Sequence, residues 1–318
     1  MLHWFSYRLA LKHPLTLPGL EPISHRCGVL IHNTETGGWG DAAPLPGYSR
    51  ETLDEVLSVL ERGDAAASRF PSLRFALECA AVPFNGPSAA VPVNALWLPN
   101  LETLDALCVR LEDWNSPVVK IKPGREPDLD AIRAVLRARP DAKLRLDGNR
   151  QWSIKQLRTV VESLPRNALD YVEEPLSDQA DYALLDFHCP VALDESLLFP
   201  EGKELAEKPF VTALVLKPTL MGNAEDRAFW VDVSKRRGCQ LTWSSAFESG
   251  VGLWHLARLA EGGTAAGLDT GSIFVDDPVS PRPLVTAGFL AGNTAFTVEG
   301  NRTLNFELHP SLNWETRA

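Results

Sequence analysis

The sequence predicts an α/β fold in which a TIM-like parallel barrel of eight strands follows a smaller α+β module. Three observations predict it. From about Val91 onward, short apolar runs alternate with segments of helical periodicity at a pitch of about 25 residues. Five successive runs end in ionisable residues, Lys122, Asp147, Glu173, Asp194 and Lys217, which lie 21 to 26 residues apart. Residues 1–90 lack this rhythm and read as strands followed by helices. An open doubly wound sheet is the competing architecture, but it would gather its functional charges at one switch point rather than on nearly every strand end.

In the first module, LHWFSYRLAL and ISHRCGVLIHNT read as strands, and TETGGWG supplies a glycine-rich turn before GDAAP. Two amphipathic helices follow over SRETLDEVLSVLERG and SLRFALECAAV, the first with Ser49 as N-cap and Glu51 and Thr52 in its first turn. The Pro/Gly-rich stretch PFNGPSAAVP marks the boundary near residue 90, and the barrel is expected over 91–284. Its strands are VPVNALWL, VVKIK, KLRLD, YVEE, VALDE, ALVLK, QLTWSS and AAGLDT. Helices are expected over LETLDALCVRLEDW, DLDAIRAVLRAR, SIKQLRTVVESL, DQADYALLDF, AEDRAFWVDVSKRR and ESGVGLWHLARLA, with a shorter segment after VALDES. The segment TAFTVEGNRTLNFEL reads as a hairpin returning to the first module, so that residues from about 285 to 318 complete the cap.

A chain of 318 residues can bury a core large enough for both domains. A net charge of −10 without any Lys/Arg run argues against a nucleic-acid partner. No apolar stretch approaches the roughly 20 residues that span a bilayer, so no membrane partner is expected. The N-terminal MLHWFSYRLALKHPL lacks the layout of a signal peptide. Five scattered cysteines, odd in number and without metal-type spacing, fit the reducing cytoplasm. The expected partner is a small-molecule carboxylate, taken up by a monomer or small homo-oligomer. Because the whole chain is acidic, local positive charge must hold such a substrate, and Lys120, Lys122, Arg145 and Lys217 are placed to supply it.

Strand alternation sorts these side chains. Val118, Lys120 and Lys122 share one face of their strand, Arg145, Asp147 and Asn149 one face of the next, and Val215 and Lys217 one face of another. The apolar residues between them face the helices, so the polar set points into the barrel, toward the C-terminal mouth. Asp147, Glu173 and Asp194 come from consecutive strands about 4.8 Å apart, close enough to converge on one cation. An all-oxygen ligand set suits Mg²⁺ or Mn²⁺ rather than zinc. For any one of these acids a helix cap or a surface charge is an equal account; for three in register it is a poor one. Asn149 is expected to support the ligands, as are Glu174 and Glu195, which alternate to the opposite side. A lysine in a cationic, partly desolvated site can act as a base, and Lys120 is placed to repel the charge of Lys122. Ser244 and Ser245 open a segment of small residues whose backbone N–H groups could bind a carboxylate, although ordinary N-capping explains them equally well. No histidine falls on a strand end, and His188 and His255 read as structural.

The elements VKIKPG, LRLDGNRQW, YVEEPL, VALDES, LVLKPTLMG and SSAFESGVGL resemble the enolase superfamily, and their order is most like that of its o-succinylbenzoate synthase family. The resemblance covers nearly the whole chain, including APLPGYSRET in the first module. It implies an α+β capping domain over a (β/α)7β barrel, metal ligands at Asp147, Glu173 and Asp194, an acid/base lysine at Lys122 and an opposing lysine at Lys217. It also implies a lyase of menaquinone biosynthesis, forming o-succinylbenzoate by metal-dependent syn dehydration. The alternative within the superfamily is racemisation of an N-acylamino acid or epimerisation of a dipeptide, which uses the same metal and both lysines. A Schiff-base aldolase would leave the three acids idle, and a non-catalytic binding barrel would leave all five charges without use.

Overall fold

The structure is a computed structural model that describes residues 1–17, 20–65, 68–99 and 101–292, and the backbone of 297–298. Strands β1 (Leu2–Leu15), β2 (Ile23–Asn33) and β3 (Gly38–Ala42) form an antiparallel sheet in the order β1-β2-β3. Helices α1 (Leu53–Glu61) and α2 (Pro71–Ala80) cover one face, burying Val56, Leu60, Leu73 and Ala76 against Val29, Ile31 and Ala42. Gly40 permits the close approach of α2, because a Cβ there would lie 1.9 Å from the Ala76 carbonyl oxygen. The N-cap of α1 is Thr52, not Ser49. Thr52 and Glu55 form a reciprocal capping box, while the Ser49 hydroxyl accepts the Leu45 N–H at 2.8 Å.

The second sheet is parallel, in the order β11-β10-β9-β8-β7-β6-β5. Its strands are β5 (Ala95–Trp97), β6 (Val118–Ile121), β7 (Lys143–Asp147), β8 (Leu169–Glu173), β9 (Val191–Leu193), β10 (Val211–Leu216) and β11 (Gln240–Trp243), with the two-residue β4 (Val91–Pro92) just before them. The expected eighth strand, AAGLDT, is reduced to two parallel bridges, Ala266 to Val93 and Gly267 to Ser244. Those bridges link the two edges: Asn94 N–H donates to the Ala266 carbonyl, and Gly267 N–H to that of Trp243. The barrel is closed at the narrowest width a strand allows.

Helices α3 (Leu104–Glu112), α4 (Leu129–Ala138) and α5 (Ile154–Glu162) follow the first barrel strands. After them come α6 (Gly202–Leu205), α7 (Pro218–Met221), α8 (Ala224–Arg237) and α9 (Gly250–Ala260). The outward residues Val119, Ile121, Leu144, Leu146, Val172, Leu193, Leu214 and Leu216 form the main core with these helices. A separate small cluster, Tyr171, Ala192, Ala213 and Val215, fills the barrel interior. The period-2 alternation of the sequence is therefore the inside–outside alternation of the barrel. α9 is buried along most of its length and shares a core with Tyr7, Leu9 and Leu30 of the antiparallel sheet.

The helix expected over DQADYALLDF is a single 3-10 segment, Gln179–Leu184, opened by the Asp178 side chain accepting the Ala180 N–H. Only a few residues separate it from β9, too few for several α-turns. The expected C-terminal hairpin lies outside the described residues except for β14 (Thr297–Val298), which pairs with β12 (Val279–Ser280). Nearby, β13 (Phe289–Leu290) pairs with β4. Among the described residues no helix is long and apolar enough to cross a membrane.

Candidate active site

The C-terminal ends of β6 to β10 bring Lys122, Asp147, Glu173, Asp194 and Lys217 to one end of the barrel, with Asp147 and Glu173 in direct register. Lys120 lies deeper. Its ammonium donates to both Glu173 oxygens at 2.7 Å and sits 3.2 Å from Asp147 Oδ2. Lys122 Nζ pairs with the same Asp147 oxygen at 2.8 Å and reaches Asn149 Oδ1 at 3.4 Å. Asp147 Oδ1 in turn accepts the Asn149 N–H at 3.1 Å, holding a turn in which Asn149 and Arg150 take positive φ of 44° and 56°. Lys217 forms an ion pair with Asp194. Three ammonium groups thus alternate with three carboxylates.

Burial works against every charge in this layer, and pairing decides each outcome. Burial would raise the Asp147 pKa, but Lys120 and Lys122 beside it hold the carboxyl well below the usual range. Burial lifts Glu173 to about 7 against the pull of Lys120, and it lifts Asp194 against the pull of Lys217. Burial would lower Lys120 and Lys217, yet the flanking carboxylates hold both well above the ordinary lysine value.

Each of the three carboxylates is paired with a lysine, and among the described residues no three acidic, histidine or cysteine side chains are gathered as a ligand set. Other expected residues lie elsewhere than expected. Lys120, expected to bind substrate and to repel Lys122, is occupied by Glu173 and Asp147 inside the barrel. Arg145, also expected at the substrate, lies below the mouth, donating to Asp170, Asn94 and the Ala265 carbonyl and stacking over Tyr171. Ser244 does not reach the cavity, and its hydroxyl donates weakly to the Gly267 carbonyl at 3.4 Å. Ser245 does reach it, but its hydroxyl already donates to Glu248 and accepts from Thr270 and the Phe247 N–H.

Glu174, with φ of 38°, turns away and accepts the Asp194 N–H, the Ser196 N–H and the Ser196 hydroxyl, all at 2.8 Å, tying the end of β8 to that of β9. Glu195 does not turn away. The chain enters a 3-10 turn at Glu195–Leu198, which swings this carboxylate into the cavity beside Lys217, and its Oε2 is buried without a hydrogen-bond partner among the described residues.

The cavity, about 230 Å³ in volume, is walled on one side by Lys122, Asn149, Glu195 and Lys217. The other wall is Leu17, Leu45 and Tyr48 from the first module, with Ala246 and Phe247 between. Burial and the nearby Glu195 push the Tyr48 hydroxyl well above the usual tyrosine value. Leu17 and Phe247 carried no signal in the sequence, being apolar residues in connections. Tyr48 lies in GDAAPLPGYSR (residues 40–50), whose proline and glycine content marks a shaped loop.

The residues present fit a hard divalent cation by their chemistry. Asp147, Glu173 and Asp194 offer only oxygen, from neighbouring strand ends, and Glu173 and Asp194 are buried carboxylates whose lysine partners do not fully offset the cost of burial.

Comparison with known proteins agrees with this layout. The family model for the enolase C-terminal domain-like fold matches residues 105–266, and that for the MenC N-terminal domain matches residues 1–84. An o-succinylbenzoate synthase of Escherichia coli (strain SMS-3-5 / SECEC) is 34% identical over 283 residues, covering 81% of this chain and 88% of its own length. The crystal structure of o-succinylbenzoate synthase from Thermosynechococcus elongatus BP-1, complexed with Mg in the active site, superposes with a TM-score of 0.66 at 24% identity, covering 87% of this chain and 95% of that one. A dipeptide epimerase from Enterococcus faecalis V583, complexed with Mg and L-Leu-L-Tyr, gives 0.72 at 20% identity, covering 91% and 96%. The chain belongs to the o-succinylbenzoate synthase family of the enolase superfamily, and it is an enzyme of the lyase class.

Proposed function

We propose that this member of the family catalyses syn dehydration of 2-succinyl-6-hydroxy-2,4-cyclohexadiene-1-carboxylate to o-succinylbenzoate. The observation that carries the reading is the inequality of the two cavity lysines. Lys122 is 31% exposed and is held at the wall by Asp147 and Asn149. Lys217 is 14% exposed, paired with Asp194, faced by Glu195 and held charged.

In this reading Lys122 takes the proton from the carbon that bears the substrate carboxylate. It then returns that proton to the departing hydroxyl on the same face, releasing water and forming the ring double bond. Lys217 stays an ammonium and lends its charge to the developing anion. Asp147, Glu173 and Asp194 would hold a divalent cation, Mg²⁺ or Mn²⁺, which would supply positive charge beside the substrate carboxylate. Residues 1–90 serve as the cap over the barrel of 91–284, with Tyr48 and Leu17 closing the site. A cytoplasmic location is in keeping with five free cysteines.

The racemase and epimerase alternative needs both lysines to move protons from opposite faces, and Lys217, more buried than Lys122 and paired with Asp194, is the less free to do so. Assaying the purified protein with the cyclohexadiene substrate against a panel of N-succinylamino acids and dipeptides decides between them. Faster inversion of an N-acylamino acid or dipeptide than dehydration would refute the proposal.

A further inference from the structure

Arg26 lies in β2 and is 2% exposed, yet the hydrogen bonds of its guanidinium all go to backbone carbonyls. Nη1 donates to Pro44 at 3.1 Å and Nη2 to Ala43 at 3.0 Å, on the segment that follows β3. Nε donates to Phe247 at 3.1 Å and Nη2 more weakly to Ala246 at 3.4 Å, on the loop between β11 and α9. A buried guanidinium is costly unless its donors are satisfied, and its planar fork fixes the carbonyls it binds relative to one another.

Both of the joined segments line the cavity. Leu45 and Tyr48 follow directly on Pro44, and Ala246 and Phe247 form part of the wall themselves, whereas Arg26 does not reach it. Phe247 is held at φ 62°, a conformation that a bulky L-residue does not keep without support. The N–H groups of this loop are held by its own side chains, Ala246 by Glu248 and Phe247 by Ser245. The carbonyl side is held by Arg26, from the other module.

We propose that Arg26 is a positioning residue that sets the spacing between the Leu45–Tyr48 wall and the Ala246–Phe247 loop, and through it the fit of the ring-bearing carboxylate substrate. The inference rests on the functional reading above for the identity of that substrate. Arg26→Lys keeps the charge but loses the fork, and Arg26→Gln keeps two donors without the charge.

In either variant, KM for the cyclohexadiene substrate is expected to rise by about tenfold or more with kcat within about threefold. The Kd of o-succinylbenzoate, measured calorimetrically, should weaken to the same degree, while Mg²⁺ affinity stays unchanged because β7–β9 are untouched. If the wild type instead turns over an N-acylamino acid, the same KM comparison is made with that substrate, so a failure of the dehydratase reading leaves this test intact. The Gln variant stands in if the Lys variant does not fold. Unchanged KM and Kd beside a lowered Tm, or a fall in kcat alone, would overturn the proposal.

Discussion

Asp41 gives the sharpest pH prediction, because it sits at the joint between the antiparallel sheet and α9. Its carboxylate accepts the Tyr7 hydroxyl at 2.8 Å, the Ser249 N–H at 2.8 Å and the Ser249 hydroxyl at 2.7 Å. Burial raises its pKa to about 6 despite those bonds, with Glu248 nearby adding to the rise. An acid whose pKa is raised on folding contributes stability that is complete below its unfolded value and lost as pH climbs through the folded one. Between pH 5 and 7.5 this group alone removes roughly 1.5 kcal/mol as its proton leaves the folded state. Asp41→Asn cannot titrate. In urea unfolding at the two pH values, the variant's stability relative to wild type should therefore be about 1.5 kcal/mol less favourable at pH 5 than at pH 7.5. Asp269 and Asp277, each lifted by burial to about 6, titrate in both proteins and cancel in the difference. A difference independent of pH would show that Asp41 is ionised throughout this range and refute the reasoning.

Chelation should abolish turnover and added Mg²⁺ or Mn²⁺ restore it, and Asp147→Asn should weaken Mg²⁺ binding by calorimetry by at least about tenfold. Lys122→Ala should abolish exchange of the substrate α-proton with solvent deuterium and lower kcat by about 10²-fold or more. Lys217→Arg, which keeps the charge, should retain part of the elimination; loss of exchange in Lys217→Ala but not in Lys122→Ala would reverse the two roles. Tyr48→Ala should raise KM several-fold with little change in Tm, measured by steady-state kinetics and calorimetric melting. That substitution leaves the backbone of residues 40–50 intact, the first three of which are part of β3 and packed on α2.

The barrel was legible because period-2 alternation and a polar strand end are properties of a few consecutive residues. VVKIK shows at once that Val119 and Ile121 face helices while Lys120 and Lys122 face inward, and the core bears this out. What alternation does not encode is depth. Lys120 and Lys122 share a face, but two residues along a strand separate a barrel-interior ion pair from a cavity wall. Arg145 was misjudged for the same reason, lying one step below Asp147. Glu195 was misjudged because alternation stops where the strand stops: β9 ends at Leu193, and a 3-10 turn then decides the direction. Ser49 lost the cap to Thr52 because the reciprocal partner, Glu55, sits three residues after Thr52. The cavity's apolar wall, with Leu17 and Phe247, is assembled from segments far apart in sequence, and no local pattern announces such a meeting.

The placement of Glu195 changes the charge balance of the mouth. Asp147, Glu173, Asp194 and Glu195 face Lys120, Lys122 and Lys217, four carboxylates against three ammonium groups, on a chain whose formal net charge is −10. With all of them ionised, the site has no surplus of positive charge with which to hold an anionic substrate, and long-range attraction works against it. On the proposed reading, a divalent cation held there would reverse that sign locally, from one negative charge to one positive. It would also give Glu173 and Asp194, which burial lifts, the compensation their lysines leave incomplete. Metal binding and carboxylate binding would then be coupled through charge, before any step of the reaction. The same balance accounts for lysines, rather than neutral groups, standing between the acids: they make a buried layer of carboxylates tolerable while the polypeptide folds around it.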